Sequence, residues 1–546
     1  MKSSMKTGRK AVTIFGVFVA SLIATIPGHV RGQVSGSEPG SPVVTTTAGE
    51  LRGLARPNGG AQFLGIPYAD PPVGDLRWRE PVPAKPWHDV RDAVRYGFPC
   101  AQPLLGDWNK LDAFLGSENC LYLNVVTPEW PAQHLLPVMF WIHGGANVGG
   151  SGGGSLYNDG TLASHGVVTV TINYRLGVFG FFAHPELANE SAHHASGNYG
   201  LMDQILALHW VIDNIAKFGG DPHNITVFGQ SAGSIDTGML MTSPLAIGLF
   251  QKSIPESGAP FWPPVATLAE AEKNGVGSIA ALNLPPGEEG IADARKMGAK
   301  ELMEKLGDRA SESNGVGPDV DGWVLREPPE KVFAAGQEAK IPMLIGTTSR
   351  EFGDQMPTDQ LLKAIDRQAG DFAAKVKAAY GLTPDAQGKV NQSSDPSYGT
   401  ASQQWTADIS FHCPIASEAL LHSAAGNPTY EYELDHAIPG QEAQGAVHSS
   451  DLPYVWGYFP KAGNIAGAFG PVDTKLAELM ESYWTNFARS GNPNGDSLPV
   501  WPDLRTAHTY MQFTENGEGV MSTKPLRAAQ CEVYRELTAE KMKAAK

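Results

Sequence analysis

Apolar residues along this chain come in two patterns. Short unbroken runs rich in β-branched side chains, at residues 137–142, 167–173, 225–228 and 341–345, have the character of parallel strands buried on both faces. Between them, apolar positions recur at helical spacing: Leu201, Ile205, Leu208, Ile212 and Ile215 share one face, and Gly219-Gly220-Asp221-Pro222 ends that helix just before a strand. Near the carboxyl end Leu476, Leu479, Met480, Tyr483, Trp484 and Phe487 form another stripe, stopped by Gly491-Asn492-Pro493. Alternation of strand and helix predicts an α/β fold, a mostly parallel central sheet with helices on both faces. Residues 265–335 and 355–410 are richer in alanine, charge and turn formers, and are expected to be helical insertions walling a gorge at the carboxyl edge of the sheet.

The amino end breaks this pattern. Lys2, Lys6, Arg9 and Lys10 precede an apolar run at residues 11–26, and Val30-Arg31-Gly32 supplies small residues at a cleavage point. The run falls short of the ~20 residues that span a bilayer, so residues 1–32 read as a signal peptide and the mature chain as secreted or periplasmic, with no stable membrane insertion. Residues 33–546 contain no repeat, long polar tract or block of like charge, and read as a single catalytic domain. A content of 42% apolar and 18% charged residues is that of a globular protein with a large core. Loss of residues 1–32 removes five basic side chains and moves the formal charge from −16 to −21, which disfavours nucleic acid and anionic membranes as partners.

Four cysteines in an exported chain allow three pairings. Proximity favours Cys100 with Cys120, which leaves Cys413 with Cys531 to tie the final segment to the body. No cysteine and histidine spacing has the form of a zinc site.

Candidate chemistry lies in three segments far apart in the chain: Gly229-Gln230-Ser231-Ala232-Gly233, Thr348-Ser349-Arg350-Glu351 and His448-Ser449-Ser450-Asp451-Leu452-Pro453-Tyr454. In the first, two glycines allow a sharp turn that thrusts a hydroxyl out of the backbone between the strand-like Asn224-Ile225-Thr226-Val227-Phe228 and a helical run from Ser234. A serine in that setting is a nucleophile once a base takes its proton, which calls for a histidine and an orienting acid.

At this point the chain resembles the type-B carboxylesterases, a family of the α/β-hydrolase fold that includes the cholinesterases. The resemblance runs over about residues 43–536 and rests on Phe63-Leu64-Gly65-Ile66-Pro67-Tyr68-Ala69, Glu118-Asn119-Cys120-Leu121-Tyr122-Leu123-Asn124-Val125, Gly197-Asn198-Tyr199-Gly200-Leu201 and Phe218-Gly219-Gly220-Asp221-Pro222. It implies a triad of Ser231 as nucleophile, Glu351 as orienting acid and His448 as general base, with Phe352 where the family usually has glycine after the acid. It implies an oxyanion hole from the Trp141-Ile142-His143-Gly144-Gly145-Ala146 loop, made by the amides of Gly145, Ala146 and Ala232, with Ala146 in place of a commoner third glycine. It further implies the ion pairs Glu118–Arg77, Arg175–Asp203 and Asp408–Arg527, and a Ser257 that helps fix the acid.

The implied activity is hydrolysis of a small-molecule carboxylic ester through an acyl-enzyme, with no metal or organic cofactor. Because the histidine must be neutral to act as base, activity is expected to rise with pH across the ordinary histidine range. Phe261, Trp262, Trp456 and Phe411 are candidate linings of an acyl or alcohol pocket, and Trp108 lies in the Cys100 to Cys120 loop, where cholinesterase-like enzymes hold a cation-binding tryptophan. The family also includes secreted bacterial esterases that detoxify tricarballylate esters of fumonisins, and Arg350 is a candidate partner for such a carboxylate. The alternative is a catalytically silent binding or adhesion protein, a form that some relatives take after losing a triad residue; oligomeric state leaves no signature.

Overall fold

The computed structural model describes residues 41–544, apart from 58, 311–315, 354 and 393. The signal peptide read over residues 1–32 lies outside the described residues.

An 11-stranded sheet organises the chain. Its strands are β1 (Leu54–Ala55), β2 (Ala61–Pro67), β3 (Tyr122–Thr127), β4 (Leu136–Ile142), β5 (Val168–Ile172), β6 (Gly220–Gln230), β7 (Lys252–Glu256), β8 (Met343–Thr348), β9 (Thr429–Asp435), β10 (Met511–Thr514) and β11 (Gly519–Met521). They lie in the order β11-β10-β9-β8-β7-β6-β4-β5-β3-β2-β1. Every pairing from β5 through to β10 is parallel, and those at the two margins are antiparallel. This is the mixed, doubly wound sheet of the α/β-hydrolase fold.

Both faces of its centre are covered, which is why these strands read as continuous apolar runs. Along β4, Val138, Phe140 and Ile142 join one core, while Met139 and Trp141 join another that includes Tyr432, Trp484 and Trp501. Successive side chains on a strand point to opposite faces, so the two cores lie on either side of the sheet. Helix α1 (Tyr199–Asn214) buries Leu201, Ile205 and Leu208 on the first side. Helix α2 (Ala232–Thr242) follows in the chain, and the predicted carboxyl-terminal stripe is helix α3 (Pro471–Ser490), on the other side. Gly491, left-handed at φ 77°, closes α3 where the sequence places its stop.

Two strand boundaries differ from the sequence reading. β6 starts at Gly220 rather than near residue 225, because Gly220 pairs with Leu136 across the sheet even though the glycine-proline stretch stops the preceding helix. β8 starts at Met343, two residues late: Pro342 has no N–H to give a neighbouring strand. The insertions are helical as expected, with Leu268–Ala281, Glu288–Lys296, Ala299–Leu306 and Pro329–Ala334 after β7, and Thr358–Ala369, Ala373–Ala379 and Ala401–Ala407 after β8.

Cys100 pairs with Cys120 and Cys413 with Cys531. The three implied ion pairs are present: Arg77 grips both oxygens of Glu118 at 2.6 Å, Arg175 both of Asp203 at 2.8 Å, and Arg527 reaches Asp408 at 2.6 Å. Buried pairs of this kind fix the placement of loops more than they add net stability. Among the described residues no helix is long and apolar enough to cross a membrane.

Buried carboxyls give the fold a pH dependence. Burial first, then the neighbouring Glu433, pushes Glu431 up to about 8; burial pushes Glu433 and Asp236 up to about 7, against hydrogen bonds from Tyr398 and from Asn147 respectively. Each holds a proton in the folded state that the unfolded chain has released, so stability must fall as pH rises from the ordinary carboxyl range towards about 8. We expect a lower thermal midpoint at pH 8 than at pH 6; a higher midpoint at pH 8 would contradict these protonation states.

Candidate active site

The nucleophile candidate sits in a sharp turn at the end of a central strand. β6 runs into Ser231, whose backbone is forced to φ 59° and ψ −124°, and α2 begins at the next residue. A Cβ on Gly233 would overlap the carbonyl oxygen of Ile142, and one on Gly144 would come within 2.9 Å of Ser231 Cβ, so glycine is needed at both places for the loop after β4 to approach the elbow. Ser231 N–H donates to Glu256 O at 2.9 Å, which pins the elbow to β7.

The acid and the base meet across 97 positions of sequence. Glu351 follows β8, and its Oε1 accepts the Thr348 N–H at 2.9 Å while its Oε2 faces His448 Nδ1 in a short hydrogen bond. Arg350 N–H donates to Ala446 O at 2.9 Å, so the two loops that carry the pair are stitched together beside it. Burial alone would raise the Glu351 carboxyl, but the facing imidazole, then His412 and the Ser257 hydroxyl, hold it below its ordinary value. Ser257 Oγ lies near enough for that influence without closing a hydrogen bond.

The other imidazole nitrogen points to the elbow. His448 Nε2 lies 3.1 Å from Gln230 Nε2. An amide NH2 only donates, so Nε2 accepts, and the proton of a neutral ring sits on Nδ1 towards Glu351. Ser231 Oγ itself closes no hydrogen bond among the described residues. The geometry therefore joins Glu351 to His448 directly and brings His448 to the residue immediately before Ser231. Contacts between nucleophile and base often close only once substrate is bound.

The loop after β4 turns through three left-handed residues, Gly145 (φ 116°), Ala146 (φ 54°) and Asn147 (φ 56°). Among the described residues the amides of Gly145, Ala146 and Ala232 donate to no protein acceptor, as groups must if they are to hold a substrate oxygen. A buried network fixes this strained turn. Asn147 Nδ2 donates to Asp236 Oδ1 at 2.9 Å, Gln204 Nε2 to Asp236 Oδ2 at 2.5 Å, and Tyr174 Oη lies 2.9 Å from both Asn147 Oδ1 and His143 O. Burial holds His143 down to about 4, partly offset by its hydrogen bond to Gly144 O, so it is a neutral structural ring at neutral pH.

Two aromatic rings lie against the His448 imidazole, Phe352 at 4.2 Å between centroids and Phe411 at 4.9 Å. Phe411 thus borders the site as the sequence reading expects. Trp456 does not: it packs against Trp141, Tyr157 and Phe228 in the core behind the sheet. Arg350 gives three of its five guanidinium N–H groups to the carbonyls of Ser397, Ala443 and Pro396, which fix it on the wall of the pocket beside Glu351 and Phe352. A pocket of about 280 Å³ opens beside Glu351 and Phe352. Gln230, Asn147 and Asp236 escaped the sequence reading, although Gln230 lies inside the serine motif and Asp236 five positions after the serine.

Comparison with known proteins agrees with this architecture. The pattern of the Carboxylesterase family matches residues 40–534. Fumonisin B1 esterase of Sphingopyxis macrogoltabida is 36% identical over 489 residues, 86% of each chain, and human cocaine esterase is 34% identical over 516 residues, 89% of each. A PNB esterase structure superposes with a TM-score of 0.75 at 33% identity, over 91% of this chain and 99% of that one. A fold-wide match at such identity, with a serine elbow at the sheet's centre, leaves one assignment: the chain belongs to the carboxylesterase family and is a carboxylic-ester hydrolase.

Proposed function

We propose that this protein is an exported serine esterase in which Ser231, His448 and Glu351 act as a triad. The observation that carries the reading is the Glu351–His448 pair, which favours the imidazole proton on Nδ1 and leaves Nε2 as the unprotonated nitrogen, beside the Gln230 amide that precedes Ser231. His448 Nε2 takes the Ser231 hydroxyl proton as Oγ attacks the ester carbonyl. The new oxyanion is held by the amides of Gly145, Ala146 and Ala232. Collapse breaks the carbonyl–alkoxy bond, and the departing alkoxide receives the proton from Nε2; water then repeats the sequence on the acyl-enzyme and releases the acid. Glu351 stays ionised and stabilises the imidazolium formed at each step.

The disulfides and the basic, then apolar, amino end support export, with residues 1–32 removed and 33–546 acting as a single catalytic domain. The likeness to fumonisin B1 esterase supports an amphiphilic ester with carboxylate-bearing acyl groups as the physiological substrate. The test is a panel of esters varied separately in acyl and alcohol parts, with fumonisin B1 beside p-nitrophenyl butyrate. Turnover of both is expected; turnover of simple esters alone would overturn the fumonisin reading, and turnover of neither would overturn the esterase reading.

A further inference from the structure

The helix that carries Phe411 to His448 changes pitch just there. Asp408–His412 is a single π-helical turn between Ala401–Ala407 and Cys413–Ala424, a form that occurs mostly as one turn inside an α-helix and often at functional sites. Phe411 lies against the His448 ring, while the next side chain, His412, is fully buried.

Both ring nitrogens of His412 meet acceptors. Nε2 lies 2.9 Å from the Thr348 carbonyl oxygen, and Nδ1 lies 2.7 Å from Asp408 Oδ1. A carbonyl oxygen cannot donate, so Nε2 carries a proton. Asp408 has none to offer either. Its Oδ1 accepts from Arg527 Nε at 2.9 Å, and its Oδ2 from Arg527 Nη2 at 2.6 Å and Tyr380 Oη at 2.8 Å, so a protonated acid would give up one of these bonds. Nδ1 therefore carries a proton as well, and the ring is an imidazolium. Burial works against that charge, but Asp408 outweighs it and lifts the ring above its ordinary value, with Arg527 opposing and Glu351 assisting. The other titratable groups around the ring are Tyr398, edge-on at 5.8 Å, and Glu433 on β9, whose carboxyl feels the same cation.

Arg527 alone neutralises Asp408, so the His412 charge is surplus to that pair. Thr348 links it to the reaction centre: its C=O takes His412, and its N–H donates to Glu351 Oε1 at 2.9 Å. Glu351 is buried and, among the described residues, pairs with no lysine or arginine. While His448 is neutral, a buried carboxylate without a counter-charge is driven to take up a proton.

We propose that His412 is a positioning residue of the triad, a standing imidazolium whose charge keeps Glu351 ionised while His448 is neutral. The inference rests on the triad reading and adds to it a second histidine that never touches substrate. A cation fixed there also disfavours a second imidazolium at His448, so its removal lets His448 hold its proton to higher pH. Activity needs His448 neutral, and the acidic limb of the pH profile must then move upward.

The test is kcat/KM for dissolved p-nitrophenyl butyrate against pH, in the wild type, His412→Gln and His412→Lys. Glutamine can still donate to Thr348 O but carries no charge. Its acidic limb is expected to rise by at least about half a pH unit, so that the rate falls about threefold or more below the midpoint and hardly changes on the alkaline plateau. Lysine keeps the charge and is expected to keep the wild-type limb. A loss that is uniform across pH is what a merely structural ring gives, and it overturns the proposal; so does a lysine variant shifted like the glutamine one. A neutron structure of the wild-type chain at pH 8 needs no variant to fold: deuterium on both nitrogens of His412 is expected, and a bare nitrogen overturns the proposal. A wild type that turns over no ester sinks the triad reading instead and leaves the neutron result to decide the charge of His412.

Discussion

Replacing Ser231 with alanine is expected to lower kcat on p-nitrophenyl butyrate by about a millionfold, with the thermal midpoint almost unchanged. The size follows from the role. Without Oγ no acyl-enzyme forms, and the remaining amides and imidazole provide only the residual catalysis that oxyanion holes retain without their nucleophile. The harmlessness to folding follows from the local contacts. Ser231 Oγ closes no hydrogen bond among the described residues, so its loss strands no buried partner, and the elbow is held by the backbone bond to Glu256 O, which alanine keeps. Alanine at φ 59° is strained no more than serine. An inactive variant that also unfolds tens of degrees early would show that Ser231 is structural; an active one would remove it from the reaction.

Glu351→Gln is expected to lower kcat by about ten-thousandfold while KM changes little. The carboxylate accepts twice, from Thr348 N–H and from His448 Nδ1–H. A glutamine can keep the first bond through its carbonyl oxygen, but then turns an NH2 towards Nδ1. That nitrogen must accept, which moves the ring proton to Nε2, where it faces the Gln230 amide and the base is lost. The charge that would stabilise the imidazolium is lost too. Because the Glu351 carboxyl lies below its ordinary value, it adds stability that is present above the unfolded value and disappears as pH falls through the folded one. The variant should therefore lose stability at neutral pH and converge on the wild type in acid. Unchanged kcat in Glu351→Gln would mean that another group orients His448.

What the sequence discloses here follows from range. Four of the central strands, β4, β5, β6 and β8, are legible because burial on both faces leaves an unbroken apolar run, whereas β7, as deeply buried, carries Lys252, Ser253 and Glu256 and leaves no such mark. Ser231 is legible because its elbow is made within one strand, one turn and one helix. Glu351 and His448 need the family resemblance, since nothing local distinguishes either from other carboxylates and histidines; their meeting is a property of the sheet order that sets β8 beside β9. The Gln230 amide facing His448 and the Asp236 anchor of the oxyanion turn depend on side-chain directions that no spacing encodes. Trp456 shows the reverse: an apt aromatic side chain that the core behind the sheet had already engaged.

The account stands on one hydroxyl made nucleophilic by one imidazole. The direct measurement is reaction of the intact protein with an organophosphate at neutral pH, with mass spectrometry of the digested chain. One adduct per chain, on Ser231, appearing in step with loss of ester turnover and absent in His448→Ala, is the result the geometry predicts. Full esterase activity in a chain that carries no adduct, or an adduct that forms on another residue as activity disappears, would contradict it.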